Sequence, residues 1–154
     1  MVKRDKTLEP NALDVLQIEK HCRDLIVSAA DAVDRQAYEA FVALFVPDAM
    51  LIRPGGIKLH GRHEILASYQ NKDPNRLTHH LICQHHIQVD SPQVAQSRCK
   101  VLLYSSHRER ELTPKGRLAD AQHQIGVMED TLVLTDTGWK IQTRHAWFEL
   151  FTDN

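Results

Sequence analysis

An excess of one charge, long apolar runs and paired cysteines are all missing from this sequence. Lys and Arg number 19 against 20 Asp and Glu, a formal net charge of -1. With no basic surplus to neutralise a phosphate backbone, nucleic acid is not an expected partner. No apolar run approaches the ~20 residues that cross a bilayer, so no membrane partner is expected either. Residues 1–10 are charged and lack the apolar stretch of a secretion signal, which points to a cytoplasmic protein. Cysteines are only three, Cys22, Cys83 and Cys99, with no CxxC spacing. An odd, scattered set fits reduced thiols rather than a disulfide framework.

What remains is ordinary globular composition. The 154 residues are 42% hydrophobic and 25% charged, which suits one compact domain and argues against disorder, collagen or coiled coil. The expected organisation is a flexible tail over 1–10 and a single domain over 11–154. The one compositional excess is histidine, at ten residues.

Periodicity divides the domain into a helical first half and a strand-rich second half, the pattern of an α+β fold. Asn11 is placed to cap a helix over 12–35, whose apolar positions Val15, Ile18, Cys22, Leu25, Ile26, Ala29 and Val33 step by three and four. A second helix is expected over 36–45, ended by Pro47-Asp48. A strand over 49–53 closes at the turn Pro54-Gly55-Gly56, and a third helix spans about 63–70. Four strands follow at about 78–89, 95–108, 121–135 and 139–151, with turns at Ser91-Pro92 and Asp136-Thr137-Gly138 and a longer loop over 109–118.

The order of short motifs resembles the SnoaL-like branch of the nuclear transport factor 2-like superfamily. The resemblance rests on Ala30-Asp31-Ala32-Val33-Asp34 with Tyr38, Leu44-Phe45-Val46-Pro47-Asp48-Ala49, Gly61-Arg62 with Ile65, Thr78-His79-His80-Leu81, and Gly138-Trp139-Lys140-Ile141 with Arg144. It spans about 14–150. It implies a cone-like curved mixed sheet wrapped around the long N-terminal helix, with an internal pocket and pairing into a homodimer. No cofactor is implied. The superfamily hosts dehydratases, isomerases, cyclases and plain binding subunits, so it does not fix a reaction.

Elimination enzymes of the superfamily, such as scytalone dehydratase, carry an Asp on the first helix and a His on a strand. Asp34 and His80 occupy those positions here. A neutral imidazole takes a proton from carbon and returns it, while a carboxylate on its other nitrogen fixes the tautomer and stabilises the imidazolium. This predicts a cofactor-independent lyase or isomerase acting on a small apolar molecule with a carbonyl or hydroxyl group. His107 is the candidate second catalytic histidine. Tyr38, His123 and Arg144 are candidate substrate contacts. Scytalone dehydratase has a Tyr just before its Asp; this chain has Val33, so that polarising hydroxyl is absent. The alternative reading is a noncatalytic subunit resembling the β subunit of aromatic-ring-hydroxylating dioxygenases.

The cluster His79-His80-Leu81-Ile82-Cys83-Gln84-His85-His86 invites a metal reading. A strand period of two would place His79, Cys83 and His85 on one face and His80 with His86 on the other. Positions four or six apart on a strand lie roughly 13–20 Å apart, too far to share one zinc, so no metal site is expected. The same period puts His145 and Trp147 on one face with Ile141. Val101, Leu103, Trp147 and Phe148 are candidate contributors to an outer pairing face. His21, His60 and His63 read as surface or helix-end residues.

Overall fold

A computed structural model describes residues 9–153. The predicted tail over 1–10 lies almost wholly outside them. The first helix, α1 (Ala12–Asp34), begins at Asn11 in a reciprocal cap. The Asn11 side chain accepts from the Asp14 backbone N–H at 2.9 Å, and the Asp14 carboxylate accepts from that of Asn11 at 3.2 Å. Two backbone donors that a helix start leaves unpaired are thereby satisfied. Cys22, Leu25, Ile26, Ala29, Ala30 and Ala32 form its buried stripe.

The remaining elements are α2 (Tyr38–Val42), β1 (Phe45–Ile52), β2 (Lys58–His60), α3 (Gly61–Gln70), β3 (Arg76–Ser91), β4 (Val94–His107), β5 (Gln124–Thr135) and β6 (Gly138–Phe151). The strands make one curved sheet in the order β2-β1-β6-β5-β4-β3. Neighbours run antiparallel except β1 and β6, which are parallel. The sheet is therefore mixed, and α1 packs mainly against β3. Phe41, Phe45, Ile26, Leu51, Ile65, Leu132 and Ile141 are fully buried between helices and sheet. Phe41 and Phe45 meet edge to face, with centroids 5.0 Å apart, a geometry that favours the ring quadrupoles.

Three expectations need correction. The second helix ends at Val42 rather than residue 45, and Phe45-Val46 already belong to β1. Pro47-Asp48 lies inside that strand, where the β1–β6 register shifts between Phe45 and Met50. An irregularity of this kind accepts a residue with no N–H to donate. The short edge strand β2 has no counterpart in the sequence reading. Finally, Val101, Leu103 and Phe148 line the internal cavity rather than the outer face of the sheet, while Trp147 stands on the outer face against His145, ring centroids 4.9 Å apart.

Two bulges explain why strand parity misleads. The β3–β4 register shifts between Cys83 and His86, where Gln84 adopts a positive φ of 44°. Beyond it His85 turns inward with Ile82 and Ile87, and its Nε2 lies 2.9 Å from the buried Ser97 hydroxyl. His85 is thus not on the face of His79 and Cys83. On β6 the register shifts opposite Thr131 and Leu132. Exposed His145 therefore does not share a face with buried Ile141.

Gly126 sits at a further shift on β5, where an added Cβ would fall 2.8 Å from the Trp147 carbonyl oxygen and 3.3 Å from the Phe148 ring. The obstacle is backbone, which cannot swing aside. Gly126→Ala is expected to cost about 1–3 kcal/mol, a fall of roughly 3–10 °C in Tm for a chain this size. Thermal unfolding followed by circular dichroism checks it; an unchanged Tm would show that β6 yields without cost.

Candidate active site

The site begins where α1 ends. Asp34 is its last residue, and that end carries the negative pole of the helix dipole with no basic residue in the last turn. A carboxylate there is disfavoured unless something else holds it. The chain reverses directly afterwards. Gln36 takes a left-handed φ of 57°, and its side-chain amide donates to the carbonyls of Pro74 and Arg76 at 3.1 and 3.0 Å. That tie pins the end of α1 to the start of β3.

Asp34 is consequently gripped by β3. Thr78 Oγ1 donates to Oδ1 at 3.0 Å, and the His80 backbone N–H donates to Oδ2 at 2.8 Å. His80 Nδ1 lies 2.5 Å from Oδ1. An ionised carboxylate can only accept, so the proton of a neutral His80 sits on Nδ1 and the lone pair on Nε2. Burial works to raise the Asp34 carboxyl, but the hydrogen bonds from His80 and Thr78 and the nearby His80 ring outweigh it and hold it below its ordinary value.

His80 lines a cavity of about 470 Å³ enclosed between α1, the ends of β1 and α3, and the concave face of the sheet. Its walls are largely apolar, with Leu51, Val101, Leu103, Met128 and Phe148 among them. Polar groups gather where the ends of α1, β1 and α3 meet: Tyr38, Arg53, Tyr69, Lys72 and Arg76. Burial pushes the Tyr38 and Tyr69 phenols above their ordinary value, so both are protonated donors at neutral pH. An apolar cavity with a few convergent polar groups is the usual form of a small-molecule site.

The structure brings His80, Tyr38 and Arg144 to the cavity lining and holds Asp34 behind His80. Arg144 is already engaged: Nε donates to Asp130 Oδ1 at 2.6 Å and Nη2 to Oδ2 at 3.3 Å, in a pair buried on both sides. Breaking such a pair strands a buried charge, so its main work is structural. His107 is not brought to the pair. It shares strand parity with Leu103, the register partner of His80, but lies four residues further along β4, about 13 Å on a strand. There it pairs with Asp73 at 3.0 Å and Glu109 at 3.6 Å. His123 also stands outside the cavity lining, packed at a tilt against Tyr104 with centroids 4.1 Å apart. Among the described residues no three His, Cys, Asp or Glu side chains come close enough to hold a metal ion.

Sequence reasoning missed Thr78 as a carboxylate partner, although it lies two residues before His80 on the same strand face. It also missed Tyr69 in the last turn of α3, Lys72 just after that helix and Arg53 before a turn, none of which carries a motif.

Comparison with known proteins agrees with this architecture. The model of the SnoaL-like domain matches residues 14–145. The chain belongs to that family. Among solved structures, a Novosphingobium aromaticivorans protein assigned provisionally to the scytalone dehydratases superposes with a TM-score of 0.79 at 21% identity, covering 94% of this chain and 92% of that one. A type 2 hexachlorocyclohexane dehydrochlorinase gives 0.76 at 18% identity, with 92% of each chain covered. ActVI-ORFA from Streptomyces coelicolor gives 0.69 at 16%, covering 88% of this SnoaL-like chain and 98% of its own. Identities this low establish a shared fold, the nuclear transport factor 2-like cone. No curated protein matches the sequence.

The Asp34 grip has a consequence in acid. A carboxyl held below its unfolded value adds stability that is present above about pH 3.9 and is lost as pH falls through the folded value. The stability advantage of the natural protein over Asp34→Asn should therefore shrink once pH drops below about 4. Urea unfolding of both at pH 5 and pH 3 checks this; an advantage equal at both pH values would show that Asp34 is not held ionised.

Proposed function

We propose that this protein is a cofactor-independent lyase or isomerase in which His80 is the general base and acid and Asp34 orients and charge-stabilises it. The observation that carries the reading is the 2.5 Å contact between Asp34 and His80 Nδ1, on a His that lines the cavity. With Nδ1 committed, Nε2 is the nitrogen available to substrate. It takes a proton from a carbon next to a carbonyl, and the C–H electron pair moves into the enolate. In an elimination that pair then forms the C=C bond as the β-substituent leaves with its bonding electrons. In an isomerisation the imidazolium returns the proton to another carbon. The phenols of Tyr38 and Tyr69 are the neutral donors suited to the developing oxyanion, a role that Val33 cannot fill. Asp34, only 14% exposed, keeps its charge beside the imidazolium that forms, so the charged intermediate state is met by a partner already in place.

The substrate this cavity suits is a small, largely apolar molecule bearing a carbonyl or hydroxyl group. We further infer a cytoplasmic homodimer. Support for pairing comes from Leu150 and Phe151, which lie exposed together at the end of β6.

The base is testable before the substrate is known. In D2O the protein should catalyse incorporation of deuterium next to the carbonyl of cyclic ketones such as 2-tetralone, followed by NMR. His80→Ala should lower that rate by 10²–10⁴ with the circular dichroism spectrum unchanged. Exchange that persists in a folded His80→Ala protein would rule out this assignment.

A further inference from the structure

The cavity carries positive charge that the acid/base pair does not use. Arg53 and Lys72 flank the same ring: the Arg53 guanidinium carbon lies 5.1 Å from the Tyr69 centroid, and Lys72 Nζ lies 4.0 Å from it. Both side chains line the cavity. Among the described residues neither is in an ion pair; the only side-chain hydrogen bond of Arg53 goes to the Ser68 hydroxyl. Arg76 adds a third cation to the lining, bonded to Ser105 at 3.0 Å and 3.7 Å from Asp120.

The nearby carboxylates are all spoken for. Asp34 is held by Thr78 and His80. Asp73 accepts from the Asn75 backbone N–H at 2.9 Å and lies 3.0 Å from His107 Nε2. Two cations drawn to one ring, with no counter-ion between them, repel each other. Lys72 registers this: burial first, then the charges of Arg53 and Arg76, bring its ammonium down to about 8. A chain that needed only to solvate these side chains would turn them outward. Here they stay on the cavity wall, opposite apolar surface.

We propose that the substrate of this site carries a carboxylate, bound by Arg53 and Lys72 at the polar end of the cavity while its apolar body lies against Val101, Leu103, Met128 and Phe148. A planar guanidinium offers paired donors to a carboxylate and an ammonium adds a point charge. The inference builds on the His80 reading, because the anchor fixes which end of the substrate reaches Nε2. A buried counter-ion also raises the Lys72 ammonium again, so binding and protonation of Lys72 reinforce each other.

The test compares 2-naphthoate with its neutral isostere 2-naphthamide by isothermal titration calorimetry at pH 7 and low salt. The carboxylate should bind at least about tenfold more tightly, which corresponds to one 1.4 kcal/mol step. Arg53→Gln and Lys72→Gln should each remove most of that preference. Lys72→Arg should keep it. In the natural protein the preference should decline as pH rises through about 8, where Lys72 loses its charge; burial pushes the Tyr69 phenol against it above its ordinary value and Asp73 is held below its own, so neither supplies that step. Lys72→Arg should abolish the pH step while leaving the preference. Equal affinities for acid and amide, binding of neither, or a preference unmoved by both Gln variants would overturn the proposal. His80→Ala should retain the preference. Its loss of deuterium exchange would then report on the base alone, so failure of the anchor and failure of the base are separate results.

Discussion

Asp34 is the point on which the site depends. It ends α1 at the pole of the helix dipole where a carboxylate is least welcome, and it is kept there by three donors from β3. Each of those donors does a different job. The His80 backbone N–H fixes the strand against the helix, the Thr78 hydroxyl fills a second lone pair, and the His80 ring is itself oriented. One contact therefore joins the helix to the sheet and sets the tautomer of the histidine. The left-handed turn at Gln36 makes it geometrically possible, because α1 must stop abruptly for its last side chain to face β3.

Such an arrangement costs the protein local stability. A helix end without a basic residue and a non-glycine residue at positive φ are each unfavourable by about 1 kcal/mol. Sites that break local rules in this way are where function is expected, since fold stability alone would favour a basic side chain at the helix end and glycine in the turn. The uncompensated cations at Arg53 and Lys72 are a second departure of the same kind. The Arg144–Asp130 pair is the contrast: equally charged and more deeply buried, it is closed on itself and asks for no ligand.

The architecture was legible in the sequence to a large extent. The stepped apolar stripe of α1, the Asn11 cap and the alternation of the long strands each follow from local chemistry, and all are present within a few residues of their expected bounds. The pairing of Asp34 with His80 was accessible only through family resemblance, because 46 residues separate them and no local pattern records the contact. Parity arguments failed at the bulges. Gln84 carries no sign of its left-handed backbone, yet it moves His85 from the face of His79 to the interior. His107 failed for a different reason. Its face was read correctly, but its distance along β4 was not, and parity says nothing about how far a cavity extends. Lys72 and Arg53 were invisible because a charged residue beside a turn ordinarily faces water.

These failures share a physical origin. Periodicity reports which side of one element a residue occupies, whereas a cavity is defined by where several elements stop. Asp34, Arg53, Lys72 and Arg76 all lie at the ends of elements or just beyond them: the last residue of α1, the position after β1, the second residue after α3 and the first of β3. Ends are where side chains escape the packing that fills the middle of an element, and where helix dipoles and unpaired backbone groups concentrate charge. The middles of the elements are taken up by the core of Phe41, Phe45 and Leu132, which leaves the chemistry to their ends. The acid/base pair sits at the seam between helix and sheet, and the cations lie on the wall of the same cavity. On the proposed reading the ends of these elements supply both parts of the site: Asp34 and Thr78 belong to the imidazole, and Arg53 and Lys72 to the substrate's carboxylate.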